Sequence, residues 1–415
     1  MKPILKYLKV FLILLICFLG FAFLSCLLPQ KQIQYHIKRS LQQGDLNEEY
    51  TYVIGNNDNS RFDNFSDALI LNEAYHINSD NILESMFLLK QNKFNESQVN
   101  TLKLATENEN LDLDNGYPRY WHGNTFLVRL FLMFSSYPRW RVFMYVISSL
   151  LLLLTCIQIY KNFSIREALI FAVAFLSCNF FIMQLSIQFF PVLVLSLLGA
   201  LFVIKYYKSY PSVCTLSFVF GCLTIYFDLL TTPLLVLGAI LTVWLLFSTK
   251  DREISLKKDF ISMIYLSFLW FSGAVITWVS KWVLTYMTID RHIFIDAKET
   301  FLSRTTSNMD GIDFQRFDAI TKNLTYVHWS VVLVFALVLI FFLVRHFYKK
   351  GYTNAILFFL IALLPYIWYV FAANHSMKHY WFTFRLQIIT IWGILFAINS
   401  FIKPKVKSTK EKQDN

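Results

Sequence analysis

Several uninterrupted apolar runs of about 20 residues set the first constraint on this chain, because that is the length of α-helix needed to cross the hydrocarbon of a bilayer. A soluble protein closes a core with far less apolar content than the 56% hydrophobic residues and 42 phenylalanines found among these 415 residues. The first run reaches roughly Leu28 and follows a basic start carrying Lys2, Lys6 and Lys9. It is longer than the apolar part of a cleaved signal peptide and shows no small-residue cleavage site, which predicts an uncleaved first span. Nine further spans are expected, at 139–160, 165–183, 185–207, 212–228, 230–248, 259–288, 328–348, 352–373 and 381–402. The expected fold is an all-α polytopic integral membrane protein with about ten transmembrane helices and a large outer-face loop domain.

The expected organisation is a first helix over 1–28, a loop domain with surface helices over 29–138, helices two to seven over 139–288, a second loop over 289–327, helices eight to ten over 328–402, and a tail over 403–415. The apolar stretch 125–134 is too short to span and carries Arg129, so it is expected to lie along the interface or pack on the bundle. The net charge of +11 could suit nucleic acid, but its distribution argues otherwise. Basic residues concentrate in alternate loops, including Lys161, Arg166, Lys205, Lys208, Lys250, Arg252, Arg345 and Lys349, and in the two ends of the chain. That asymmetry predicts a multi-pass protein of the cytoplasmic membrane with both termini cytoplasmic, the bilayer as partner and no nucleic acid. The two long loops and the short connector 374–380 then lie outside. The inner loops carry no P-loop or dinucleotide fingerprint, so chemistry is expected on the outer side. The six cysteines all fall in apolar segments and form no disulfide framework.

Four constellations could carry that chemistry. The connector and start of the last span, 374–385, hold His375, Lys378, His379, Arg385 and four aromatics. If this stretch continues the following helix, the two histidines share a face, with Arg385 less than two turns on. The plain alternative is an aromatic belt with basic neighbours. In the stretch 60–73, Phe62, Phe65 and Leu69 recur at helical spacing, which predicts an amphipathic helix on the outer surface. Ser60 and Asp63 fit a capping box, a structural job for Asp63. Asp67, one turn further, is the preferred functional carboxylate, against a solvated face as the alternative.

The stretch 117–124 sets Arg119, Trp121 and His122 among tyrosines, a composition suited to sugar C–H faces and phosphate oxygens. Lys281 and Asp228 sit at or near the outer ends of their spans, where an ion pair competes with Lys281 facing a lipid phosphate. The loop 289–327, with Arg304, Arg316, Asp318 and Asn323, could cover a site as a lid. His375 and His379 have a metal-ligand spacing that His122 or an aspartate could complete, but no HExxH pattern is present. The metal-free reading is preferred. A divalent cation held by oxygen ligands stays open, because spacing alone does not reveal it.

The motifs Asp63-Asn64-Phe65-Ser66-Asp67-Ala68-Leu69, Arg119-Tyr120-Trp121-His122-Gly123, Lys281-Trp282-Val283-Leu284, and Asn374-His375-Ser376 with His379 and Phe382-Thr383-Phe384-Arg385 resemble those of a group of polytopic membrane proteins of low-GC Gram-positive bacteria. An uncleaved first span, a large outer loop with acidic residues on a helix, and many spans also resemble the GT-C glycosyltransferases. The chain departs from the commonest GT-C pattern in lacking an adjacent acidic pair soon after the first span. By that resemblance a carboxylate of the first outer loop, Asp67 or Asp63, acts as base, and the partners are a polyprenyl-phosphate-linked sugar and an envelope glycan acceptor. Lys281, Arg119 or Arg385 would then stabilise the departing lipid phosphate. His375, His379, Trp121, His122 and Arg304 would bind substrate. A transporter or flippase for an anionic or lipid-linked precursor is the rival expectation, and a non-catalytic scaffold of envelope synthesis the third.

Overall fold

The computed structural model describes residues 2–53, 55, 58–93, 97–107, 112–114 and 116–402. The expected cytoplasmic tail over 403–415 lies outside the described residues. Among them, seven helices are long and apolar enough to cross a membrane: Ile4–Leu27, Tyr137–Asn162, Tyr210–Phe227, Leu234–Asp251, Leu256–Thr288, Tyr352–Phe371 and Tyr380–Ser400. The Asp318–Leu324 and Trp329–Arg345 helices, bent by 78°, make an eighth if taken as one span. By length and composition this is a multi-pass membrane protein. Among the described residues the paired strands are the two-residue pairs Gln91–Asn92 with Leu113–Asp114 and Asn308–Met309 with Ile312–Asp313.

Fewer helices qualify than the ten spans expected, and local chemistry explains the difference. The region read as spans 165–183 and 185–207 folds as shorter helices, Ile165–Leu176, Phe180–Met183 and Phe190–Tyr206. Asn179 breaks the first of these by adopting left-handed backbone at φ 56°, a conformation asparagine tolerates better than most residues. Its side chain is then used from both ends, donating to Asn59 O at 2.7 Å and meeting His328 Nε2 at 2.7 Å. Pro191 restarts the chain as helix in the first turn, where no N–H is missed.

The ends of the helices sort into two groups. At one end Lys6 donates to Thr215 Oγ1 at 2.6 Å, Lys250 to Asn162 Oδ1 at 2.8 Å, and Tyr207 to Asp251 at 2.7 Å. These join the basic segments expected to share one side. The opposite ends carry the loop domain. The 33-residue helix Leu256–Thr288, about 50 Å long at 1.5 Å per residue, outreaches a bilayer core and rises into that domain. It crosses Tyr210–Phe227 with the backbones in contact. A Cβ on Gly221 would lie 2.0 Å from Trp270 O, and one on Gly273 would lie 2.3 Å from Phe218 O, so only glycine permits this crossing.

Within the loop domain the Asn64–His76 helix is central rather than superficial. Ten of its thirteen residues are buried. The expected amphipathic surface helix is therefore corrected. Besides Leu69, the residues Ala68, Ile70, Leu71 and Ala74 are apolar, so no broad polar face remains to meet water. The amphipathic Gln30–Gln42 helix buries Ile33, Ile37 and Leu41 in the same cluster, and the Gly123–Leu132 helix adds Val128 and Leu132. The stretch 125–134 thus packs on the bundle. Its Arg129 is fully enclosed, with Nε 3.2 Å from Ser25 O and Nη1 on Ala74 O.

Candidate functional site

Three carboxylates mark the buried Asn64–His76 helix, one at its cap and two within it, and their surroundings differ. Asp67 receives Tyr137 Oη at 2.5 Å, Arg141 Nη2 at 3.3 Å, Ser186 Oγ at 3.2 Å and Ile187 N at 2.8 Å. Four donors occupy its lone pairs, and the side chain is fully buried. It ties the loop domain to the Tyr137–Asn162 helix and to the turn before Phe190. A general base needs a free lone pair within reach of the substrate. Asp67 offers neither, so the geometry makes it an anchor.

Asp63 is the N-cap of the helix itself, with Oδ1 accepting from Ser66 N at 3.1 Å. The expected box opened by Ser60 does not form, because Ser60 belongs to the preceding 3-10 turn Asp58–Ser60. No described group donates to the buried Oδ2. Burial pushes this carboxyl from 3.8 up to about 7, with the Ser66 contact and the Arg385 charge pulling the other way. Arg385 is 1% exposed and lies 4.3 Å over the Phe189 ring, turned away from lipid. No described group accepts from its Nε or Nη1.

Glu73, at the other end of the helix, is the barest of the three. It is fully buried, and no described group makes a hydrogen bond to either oxygen. His122 Nδ1 lies 3.0 Å from Oε2, within ion-pair distance. The Glu73 charge also acts on Lys281, which is 0% exposed. Lys281 Nζ donates to Met86 O at 3.2 Å and Phe87 O at 3.0 Å, and stands over the rings of Phe87 and Trp121 at 4.9 and 5.7 Å. An ammonium has three donors, so one is left.

The expected Asp228–Lys281 ion pair does not form among the described residues. Asp228 instead closes a turn on Thr231, accepting from its N at 3.1 and 3.0 Å and its Oγ1 at 2.6 Å. Lys281 is instead covered by the Met86–Phe87 segment, to whose carbonyls it donates.

The segment 117–123 is seated on the long helix by its own indole contacts. Trp278 and Trp282 both donate to Arg119 O, at 2.9 and 3.0 Å, and Trp121 donates to Thr277 O at 2.7 Å. His122 pays for its position in backbone strain, with φ 54° in the left-handed region. Its Nε2 meets Tyr117 O at 3.0 Å, which fixes the ring against Glu73. Arg304 donates to Tyr120 Oη on the same segment. Arg119 is already committed, with Nη1 at 3.0 and 2.9 Å from the two oxygens of Asp296.

The connector does not continue the last helix as one rod. It folds as Ala373–Lys378, breaks at His379, and resumes as Tyr380–Thr383 and the 3-10 turn Phe384–Leu386. The rings of His375 and His379 still meet, tilted at 56° with centroids 4.9 Å apart, and His375 Nε2 meets Leu230 O at 2.9 Å. Burial lowers both imidazoles, His375 well below its usual 6.5 and His379 to about 4, with the Arg304 charge adding to the effect. They are neutral near pH 7 and offer ring N–H donors rather than positive charge. The loop 289–327 contacts this connector, with Asn323 Nδ2 donating to Ser376 O at 3.0 Å and Asn374 N to Thr306 O at 3.0 Å, and Arg316 Nη1 donates to Val370 O in the preceding helix at 2.8 Å.

The residues proposed from sequence therefore separate into two centres. Trp121, His122, Lys281, Arg304 and Arg119 gather around Glu73 and Tyr120, with His375 and His379 within the field of Arg304. Arg385 belongs with Asp63, at the far end of the same helix. Among the described residues no group of three or more His, Cys, Asp and Glu side chains could hold a metal ion. Glu73 was passed over in the sequence, yet it left a signal: a single charge inside the run Ala68–Tyr75, which is otherwise apolar apart from Asn72. No family model, curated protein or solved structure matches this chain.

Proposed function

We propose that this protein is a GT-C-like membrane glycosyltransferase that moves a sugar from a polyprenyl-phosphate donor to a cell-envelope glycan or glycopolymer on the outer face of the cytoplasmic membrane. The observation that carries the reading is the buried Glu73 carboxylate, bare of hydrogen bonds, beside His122 and Lys281. An unsatisfied buried carboxylate costs several kcal/mol, and such groups concentrate where chemistry needs them. In the reaction the acceptor hydroxyl oxygen bonds to the anomeric carbon while the bond from that carbon to the lipid phosphate breaks. Glu73 takes the hydroxyl proton, and the phosphate leaves with the electron pair. The free donor of Lys281 and the guanidinium of Arg304 stabilise the charge that grows on it. Trp121 and Tyr120 supply apolar faces to the sugar, and the neutral His375 and His379 donate to its oxygens.

The orientation proposed with this reading has both termini cytoplasmic. Single-cysteine labelling of intact cells then reaches positions 45 and 378 but not 252, and labelling at 252 overturns it.

A transporter of lipid-linked precursors is the second reading, favoured by the helix breaks at Asn179 and His379, since discontinuous helices line many transport sites. The carboxyl substitution separates the two. Under transfer chemistry, Glu73→Gln makes cells accumulate the lipid-linked sugar donor on the outer leaflet and lose the sugar from the wall. Accumulation on the inner leaflet decides for transport, and unchanged wall glycans with unchanged lipids sink both.

A further inference from the structure

A cavity of about 370 Å³ opens on the loop domain beside the start of the Asn64–His76 helix. Its polar lining comes from Asp45, Asn47, Glu48, Thr51, Asn64 and Arg141, and Phe62 supplies an apolar wall. The volume lies in the range of small-molecule sites, which begins near 300 Å³. The wall is fixed in advance. Asn64 is 4% exposed, donates to Glu48 O at 2.6 Å and receives Arg141 Nη2 at 2.5 Å. Phe62 is held by Arg141, whose guanidinium lies 5.0 Å over its ring.

Charge selects the ligand. Arg141 is the cation of this lining, and it already serves Asp67. Asp45 and Glu48 leave the cavity with an excess of carboxylate, which repels phosphates and other anions. Asp45 also keeps one buried oxygen to which no described group donates. A metal ion is poorly served, because no described cluster of three His, Cys, Asp or Glu side chains offers it a site. An uncharged ligand rich in hydroxyls fits both sides of the lining. Its O–H groups donate to the carboxylates of Asp45 and Glu48, and its oxygens accept from the carboxamide of Asn47.

We propose that this cavity binds a neutral saccharide unit. Taken with the transfer reading above, on which the label rests, it is a distal unit of the acceptor glycan. Asn64 and Glu73 are nine residues apart on one helix, about 14 Å along its axis. That span is longer than one sugar ring, so the cavity holds a part of the chain that does not react. Arg141 joins the cavity to Asp67, and through it to Ser186 and Ile187, so an occupied cavity abuts the anchor of the whole loop domain.

The test uses the full-length protein in detergent micelles and measures binding by saturation-transfer NMR. The probes are glucose, galactose and N-acetylglucosamine, each with its β-linked dimer. The expected result is saturation transfer to at least one sugar, weakened about tenfold or more by Thr51→Trp, which fills the cavity from an exposed position. The same binding survives in Glu73→Gln. No transfer to any of these sugars, equal binding by Thr51→Trp, or displacement of the sugar by inorganic phosphate overturns the proposal. Sugar binding with no glycosyl transfer in cells retires the enzymatic reading and leaves the cavity, whereas transfer without such binding retires the cavity alone.

Discussion

Asp67 and Glu73 sit six residues apart on one buried helix, about 9 Å along its axis, and could hardly be treated more differently. Asp67 has four donors from two separate parts of the chain, while no described group makes a hydrogen bond to Glu73. Both are fully buried, so desolvation does not separate them. The difference lies in what the fold supplies afterwards. A saturated carboxylate is a fastening, and removing a partner damages the architecture. Glu73, whose near polar neighbour is His122, fastens far less of the chain.

The largest effect that could break this comparison is at Arg141. Arg141→Met leaves the Asp67 charge without its cation and is expected to lower stability by about 3–5 kcal/mol. Thermal unfolding in detergent measures it, and an unshifted midpoint would remove Asp67 as a fastening. Next comes Glu73→Gln, expected to slow transfer by about 10²–10⁴ while the thermal midpoint stays level or rises. A large fall in the midpoint would place Glu73 with Asp67 instead. Lys281→Met keeps the length of the side chain but deprives the Met86 and Phe87 carbonyls of their donor, a loss of about 1–3 kcal/mol, and activity falls with it.

A subtler contrast is in pH. Between 3.8 and about 7, native Asp63 retains a proton that the unfolded chain has released, so stability falls as pH rises through that window. Asparagine caps helices as well as aspartate, so Asp63→Asn should flatten that fall and leave the fold intact. His379 works in the opposite sense. Its native ring stays neutral down to about 4 while the unfolded ring binds a proton below 6.5, so stability falls as pH drops through that range. Unfolding midpoints across pH separate the two, since the histidine limb persists in Asp63→Asn. The smallest effect is expected at Asp296, which is 42% exposed: Asp296→Ala costs at most about 1 kcal/mol and frees Arg119.

The sequence made the membrane class and the helix-rich architecture legible, because apolar run length is a direct physical requirement of the bilayer. It also made the residues around Tyr120 legible, since arginine, histidine and tryptophan crowded before a short apolar helix stand out. Which carboxylate is bare was not legible. Helical spacing places Asp67 and Glu73 on the chain but says nothing of Tyr137, Arg141 or Ser186 arriving from elsewhere to satisfy only one of them. The Asn64–His76 helix misled for a related reason. Its apolar spacing fits a half-exposed helix, and only packing against the Gln30–Gln42 and Gly123–Leu132 helices closes its remaining sides.

The glycine crossing at Gly221 and Gly273 has a mechanical consequence. Backbones in contact at that point have no side chains to slide over one another, so the long helix is clamped against both rotation and axial slip. Lys281 stands eight residues beyond the clamp, about 12 Å further along the same rod. Its distance from that crossing is therefore set by the helix itself. The 117–123 segment shares that fixity, because Trp278 and Trp282 of the same rod both donate to Arg119 O and Trp121 donates back to Thr277 O.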